Sequence, residues 1–469
     1  MEAAMTFEAT SVWSEVKDII DKTTDPQLYE YKGTVHTEKE DFAVWDLSSI
    51  EIVRDYLNSV AETGKIIFRL GLGDYVRRFF PYRNNLEFTL KRIPLGDGGL
   101  PSKNKTILVV RYKVIFNPSQ NPQVGGSELE TYDSEDLNVS DFVEVHVEVL
   151  DRSMEPLRIK TTGGAYNAVN NTTLIHSLLG GESMKVLVDG KPAVQALDLV
   201  PPDNNEVIPR VIIPHGTKIT ALPTYLQHSI SGVYNRGIGT FFQMYNGKKT
   251  WFVYPVYDAQ RFDGADKKVV FYVVPQEKLP QLDKSYREVA NILKVAVTAQ
   301  RKYSDNAELA MMNEGSGYRM SDARAFMKKP ILIKEDGPVA TRTQLNHEVV
   351  TKERSDNLNY APMEMNGPSL NPYVQRSVVV ARNMAQVDLV WENANPELIY
   401  PGMPCKYVYI SQDKPISLKG TVLFVHAFSA RVEKYNASAF RTTCRITIAC
   451  ELQTKKPSLP SKGTANDHY

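Results

Sequence analysis

The sequence predicts a β-rich α+β protein: two antiparallel β-barrels with mixed α/β segments between them. Three observations carry that expectation. Residues 142–150, FVEVHVEVL, alternate Val143, Val145, Val147 and Val149 with Glu144, His146 and Glu148, a period of two with one dry face and one wet face. Residues 241–258, FFQMYNGKKTWFVYPVYD, hold Asn246-Gly247 between two aromatic runs, and Asn-Gly tolerates the positive φ angles of a type I′ hairpin. A second block of long strand patterns, GTVLFVHAFSARVE and TTCRITIACEL, lies far from the first, beyond stretches that read as short helices.

Taken in order, residues 1–38 form an N-terminal extension with one amphipathic helix, SVWSEVKDIID at 11–21. Ser11 is its N-cap, and Trp13, Val16, Ile19 and Ile20 share a face that must dock on a domain or on another subunit. Residues 39–162 make the first barrel, with KIIFRL (65–70), KTILVVRYKVIF (105–116) and FVEVHVEVL as its clearest strands. No helix long enough for a parallel crossover separates them, which favours antiparallel pairing. Residues 163–239 form a mixed α/β arm. Gly163-Gly164 break the sheet pattern. A helix over 170–181 is capped by Asn171 or Thr172 and stopped by Gly180-Gly181, and a second helix covers 220–234.

Residues 240–290 begin the second barrel with the Asn-Gly hairpin and the strand KKVVFYVVP (267–275). Residues 291–370 are an insertion or second arm, rich in Asn, Met and charge. Residues 371–454 return to the barrel through a helix, with Asn371-Pro372 at its start and Tyr373, Val380 and Met384 on one stripe. In the final strand Cys444, Ile446, Ile448, Cys450 and Leu452 face one way. Residues 455–469 are a loosely held tail.

Lys and Arg number 55, as do Asp and Glu, so the chain lacks the basic excess of a general nucleic-acid binder and repels its own copies weakly. Cys444 and Cys450 lie six residues apart on one strand. That is about 20 Å, too far for a disulfide. With Cys405 they read as buried free thiols in a reducing compartment, and no Cys-x-x-Cys suggests zinc. No window approaches 18 uninterrupted apolar residues, so no spanning helix is expected, nor is a signal peptide.

No catalytic, cofactor-binding or metal-binding residues are expected, and the chain does not read as an enzyme. Gly71-Leu72-Gly73 follows a strand, but Val76 stands where a dinucleotide loop needs its third glycine, so the glycines read as a bend. His347-Glu348 lacks the second histidine of a zinc helix, and no Gly-x-Ser-x-Gly elbow occurs. The carboxylates Asp263, Asp266, Glu277 and Asp283 fall in turns. One basic-aromatic stretch stands out, YVRRFFPYR. Its Tyr75, Arg77, Arg78, Phe79, Phe80 and Arg83, together with Trp13, are the candidate subunit-contact residues. Arg and aromatics are enriched in interfaces, which favours that reading over a single-stranded nucleic-acid platform.

The stretches RNMAQVDLVWENANPELIYPGMPCKYVYI and LKGTVLFVHAFSARVEKYNASAFRTTCRITIACEL resemble the closing part of the second tube-like barrel in baseplate hub proteins of contractile-tailed phages. TYLQHSISGVYNRGIGTFFQMYNGKKTWFVYP is similar to that family's middle region. The resemblance is specific over about 220–275 and 371–453; the extra segment 1–38 and the long 300–370 depart from the family. It implies two tail-tube-like barrels per chain and a homotrimer that presents six tube-like units to a hexameric tail tube and threefold symmetry to a central spike. It further implies neighbouring baseplate proteins, a channel for DNA or tape-measure protein, synthesis in the host cytoplasm, residence in the virion tail and no catalysis. A carbohydrate-binding or carbohydrate-active tail protein and the equivalent hub of a bacterial contractile injection system are the alternatives. In the hub reading Pro401-Gly402 fixes strand register, since a slip of one residue would bury Lys406 and expose Tyr407.

Overall fold

The computed structural model describes residues 7–22, 28–96, 108–121, 142–274, 285–300, 316–319, 341–344, 347–351, 373, 377, 380, 381, 384–411, 414–432 and 439–451. Helix α1 (Phe7–Lys22) starts before the predicted Ser11 and buries Val12, Val16 and Ile19 on one face. Then come β1 (Leu28–His36), β2 (Asp41–Ala43), β3 (Asp46–Asp55), β4 (Thr63–Gly71), β5 (Glu87–Leu95), β6 (Leu108–Phe116) and β7 (Phe142–Asp151). They pair antiparallel in the order β3–β4–β7–β6–β5–β1, with β2 on β1. In β7, Val145, Val147 and Val149 point inward as the alternation requires. Strand β1 corrects the reading of residues before 39 as an extension, because Leu28–His36 pairs along its whole length with β5.

The middle of the chain is mixed, as expected, but its parts differ from the prediction. Gly163-Gly164 do not break the sheet; they lie inside β8 (Thr161–Val169). A Cβ on Gly163 would come within 2.6 Å of the His215 Cα on the strand that pairs with it, so glycine permits the close approach. The first helix is capped one residue earlier than predicted, by Asn170, whose side chain accepts the Thr173 N–H at 2.8 Å. It continues through a π-helical stretch, Ile175–Gly181, and on to Met184, so the two glycines do not end it. Strands β9 (Leu187–Val188) and β10 (Lys191–Pro192) form a small hairpin, followed by β11 (Ala196–Leu199) and by β12 (Ile208–Lys218), the partner of β8. The second helix is confined to Leu222–Ser229.

Strands β13 (Ile238–Tyr245) and β14 (Lys248–Pro255) form the predicted hairpin, with Asn246 at φ +49 and Gly247 at φ +75. They do not enter a barrel. With β11 parallel to β14 they make a separate three-stranded sheet. Both of its faces are covered: Phe241, Phe252 and Tyr254 join one core, and Phe242, Trp251 and Val253 join that of the α/β arm. A sheet buried on both faces reads as a continuous apolar run rather than as an alternating strand.

The remaining strands are β15 (Lys268–Val273), β16 (Tyr286–Val289), β17 (Ile292–Gln300), β18 (Ser316–Arg319), β19 (Thr341–Gln344), β20 (His347–Thr351), β21 (Met384–Trp391), β22 (Pro404–Ser411), β23 (Lys414–Arg431) and β24 (Ala439–Glu451). Strand β17 belongs to the main sheet, so residues 291–300 are not insertion. Within 301–370, β18, β20 and β19 form a small antiparallel sheet. Met384 opens a strand instead of ending the helical stripe. The expectation of purely antiparallel barrels is also corrected: β15 runs parallel to both β17 and β22. A parallel neighbour needs only a long enough return connection. The chain between Val273 and Ile292 is long enough to supply that connection.

Strand β23 is 18 residues long and joins everything. Along one edge, Lys414–Thr421 pairs with β22 and Phe424–Ala430 pairs with β3; along the other, Gly420–Arg431 pairs with β24. Strand β24 pairs in turn with β21 over Cys444–Glu451 and with β1 over Ala439–Arg441. The hydrogen bonds therefore close two rings. The first is β23–β3–β4–β7–β6–β5–β1–β24, the second is β22–β23–β24–β21–β17–β15, and the β23–β24 hairpin is common to both. A bulge at Leu423 marks the passage from one ring to the other, and the Leu423 carbonyl accepts the Tyr56 N–H at 3.0 Å. Phe68, Phe88 and Val145 fill the first ring; Phe271, Trp391, Cys444, Ile446 and Ile448 fill the second. All three cysteines are buried and free. Burial pushes the Cys444 thiol up to about 12, which makes it inert. Helix α1 lies on the outside of the second ring, against Val270, Tyr272, Ala296 and Val408.

Candidate functional site

The stretch WENANPELIYPG leaves β21, makes a 3₁₀ turn at Pro396–Leu398 and enters the interior of the first ring. Arg54 of β3 waits there, 3% exposed. Its Nε donates to Glu62 Oε2 at 2.9 Å, its Nη1 to the Pro396 carbonyl at 2.9 Å and its Nη2 to Glu397 Oε1 at 2.7 Å. Tyr112 of β6 donates its hydroxyl to the other Glu62 oxygen at 3.1 Å. Arg92 of β5 donates to Asn395 Oδ1 at 2.7 Å, lies 3.8 Å from Glu397 and covers the Tyr29 ring at 3.7 Å. Two guanidinium groups face two carboxylates, so the buried charges cancel.

Burial opposes each charge, and the partners answer it. Burial would pull the Arg54 guanidinium down, but Glu397 and Glu62 hold it well above its ordinary value. Burial pushes the Glu62 carboxyl up, with Arg54 opposing. The Tyr112 hydroxyl is raised first by burial and then by Glu62. A buried ion pair adds little net stability, because desolvation consumes the Coulombic gain; what it fixes is geometry. Here Arg54 and Arg92 latch a loop of the second ring, the latch loop WENANPELIYPG, to the interior wall of the first.

The loop ends in a type II turn. The Met403 N–H donates to the Tyr400 carbonyl at 3.1 Å, with Pro401 at the second position and Gly402 at φ +66 at the third. The Tyr254 ring of β14 presses on Gly402, where an added Cβ would lie 2.1 Å from Cδ2. Strand β22 then starts in the expected register, with Tyr407 buried and Lys406 partly exposed.

The predicted contact residues fall elsewhere. After Gly71 the chain winds through Leu72–Asp74, a π turn at Tyr75–Phe79 and a 3₁₀ turn at Phe80–Tyr82. That winding folds Tyr75, Phe79 and Phe80 into the first ring's core, so these three are core residues and not surface. Arg78 pairs with Glu40 at 2.8 Å and Asp74 at 3.0 Å and covers the Phe42 ring; Arg83 covers the Phe80 ring and bonds its carbonyl. Arg77 faces solvent. Trp13 sits half-buried on α1 against the second ring of its own chain. The sequence reading missed Arg54, Glu62, Arg92 and Glu397. A signal existed: Arg54 has the parity of Ile50 and Ile52, and Arg92 that of Phe88 and Leu90, so each is a charge on an inward face.

The outer wall of the first ring exposes several apolar side chains among its charged ones. Trp45, 74% exposed, packs on Phe142 at 4.9 Å between centroids, and Val109, Ile115 and Phe428 are exposed on the same wall. Among the described residues no group of three His, Cys, Asp or Glu could hold a metal, and no helix is long and apolar enough to cross a membrane.

No protein-family model and no curated protein sequence matches this chain. Solved structures of tail proteins are similar in arrangement. The 43 kDa tail protein of prophage MuSo2 from Shewanella oneidensis is 9% identical with a TM-score of 0.41, over 89% of this chain and 96% of that one. The E. coli c3393 protein, a type VI secretion component with structural similarity to the T4 tail proteins gp27 and gp5, is 10% identical with a TM-score of 0.41, over 89% and 77%. A chain of the Francisella PdpA-VgrG complex, half-lidded, is 9% identical with a TM-score of 0.42; 93% of this chain aligns, spanning 60% of that one, less than two thirds of its length. These are likenesses of arrangement to phage-tail and type VI secretion proteins, and they transfer no activity.

Proposed function

We propose that the chain is a structural subunit of a contractile-tail baseplate hub, a homotrimer that adapts a hexameric tail tube to a trimeric spike and catalyses nothing. One observation carries the reading: a single chain closes two rings of strands and ties them through one shared hairpin. Three such chains present six rings, so a threefold assembly meets a sixfold one without a second kind of subunit. The stretches WENANPELIYPG and GTVLFVHAFSARVE, on which the sequence resemblance rests, are the latch loop and the shared strand. The latch supports the same reading, because an adaptor under load must hold its two rings at one angle. The exposed Trp45–Phe142 pair suits a contact between copies, and a zero net charge leaves little repulsion to oppose it. Tube protein above, spike below, neighbouring baseplate proteins and a central passage for DNA or tape-measure protein complete the proposal, which places the protein in the virion tail.

The test is the solution mass by light scattering on a size-exclusion column. A mass near three times 52.9 kDa supports the hub. A stable monomer at micromolar concentration that binds neither tube nor spike protein overturns it.

A further inference from the structure

A second feature lies apart from the latch and from the outer wall. Between the three-stranded β11–β14–β13 sheet, the segment before β15 and the Pro401-Gly402 turn is an open cavity of about 530 Å³, within the range of small-molecule sites. Its back wall is aromatic. Tyr245 and Tyr400 are 5.4 Å apart between centroids, and Phe252 stacks on Tyr400 at 5.9 Å. Its lining also holds two acids and two bases, Asp198, Asp266, Arg261 and Lys267.

These groups differ in how committed they are. Lys267 donates to the Tyr245 hydroxyl at 3.3 Å, and Tyr400 donates to the Lys267 carbonyl at 2.9 Å. Arg261 spends one N–H on the Gly402 carbonyl at 3.1 Å. The Asp198 carboxylate makes no hydrogen bond or ion pair among the described residues. Burial within the concavity nevertheless pushes its carboxyl up, against the pull of Arg261. It is an accepting group held in a partly desolvated place with its lone pairs unspent. A charged ligand of either sign would meet like charge in the lining. An uncharged ligand with an apolar face and hydroxyl edges meets a partner on every side: rings for its C–H face, Asp198 as acceptor and Arg261 as donor.

We propose that this cavity is a saccharide-binding site that holds one sugar ring against Tyr245 and Tyr400, with its hydroxyls bonded to Asp198 and Arg261. It is independent of the assembly reading, because binding is measured on the full chain whatever its mass. The experiment is isothermal titration of the full-length protein with N-acetylglucosamine trimer, maltotriose, xylotriose and, as the zwitterionic competitor, triglycine. The expected result is a Kd of about 1 mM or tighter for at least one trisaccharide. Asp198→Asn, which keeps the side chain's size, should weaken it about tenfold, the scale of one charge-assisted hydrogen bond, and Tyr245→Ala should abolish it. If Tyr245→Ala does not fold, the Asp198→Asn titration decides alone. Failure of all three sugars to bind, binding unchanged in Asp198→Asn, or binding of triglycine but no sugar overturns the proposal.

Discussion

Replacing Gly402 by alanine tests the account of the latch turn most sharply. Two costs are readable from the structure. At φ +66 an L side chain is strained by roughly 1–2 kcal/mol. The new Cβ would also sit 2.1, 2.4 and 2.5 Å from Cδ2, Cε2 and Cγ of Tyr254. Tyr254 cannot move away easily: it is 2% exposed and its hydroxyl donates to the Tyr56 carbonyl at 3.2 Å. Overpacking of this kind costs about 1–3 kcal/mol, so the sum is about 2–5 kcal/mol. Gly247 is the internal control, with φ +75 and nothing within 4 Å of its added Cβ. Gly247→Ala carries the backbone cost alone. The assay is chemical denaturation of wild type, Gly402→Ala and Gly247→Ala, with the difference between the variants giving the packing cost. If the two lose equal stability, Tyr254 does not hold the turn and the reasoning fails.

Other outcomes follow from the same geometry. Ala290 stands at φ +46 in the exposed turn between β16 and β17, a place suited to Asn, so Ala290→Asn should gain about 0.5–1 kcal/mol of stability, read from the shift in denaturation midpoint. Arg54→Met leaves Glu62 and Glu397 facing each other and should cost about 3–5 kcal/mol; adding Glu62→Leu should recover part of that, and strict additivity would contradict the latch as one unit. Glu62 has a native carboxyl value raised by burial, so its stabilising contribution is full below its ordinary value of 4.5 and is lost as pH rises through the native one. Wild type should therefore gain stability relative to Glu62→Gln as pH is lowered from 7 to 5, read as denaturation midpoints at the two values; parallel pH profiles would count against this burial effect.

Much of the architecture was legible because it is local. The period-two face of β7, the positive φ pair at Asn246-Gly247 and the Pro401-Gly402 turn each depend on residues a few positions apart. What was not legible depends on pairing at long range. The aromatic hairpin reads as a barrel strand until its second covered face is seen. YVRRFFPYR reads as surface until the π turn folds Tyr75, Phe79 and Phe80 inward. Two rings were anticipated, but nothing in the sequence of β23 says that one strand serves both. The change of partner occurs at a single bulged residue, Leu423, that looks like any other core leucine. The latch lay between these extremes: inward charges at Arg54 and Arg92 were visible by parity, and their partner at Glu397 was not.

The shared hairpin has a consequence for how the molecule is made. Strands β23 and β24 emerge from the ribosome after every other strand of both rings. Until they arrive, β3 and β1 at one end and β22 and β21 at the other each expose an unpaired edge. Neither half can finish first, so co-translational folding ring by ring is closed to this chain. Open edges of this kind recruit other strands readily. A nascent chain interrupted before Lys414 would therefore carry two incomplete rings at once. Such a fragment should be captured by chaperones or aggregate more readily than the full-length chain.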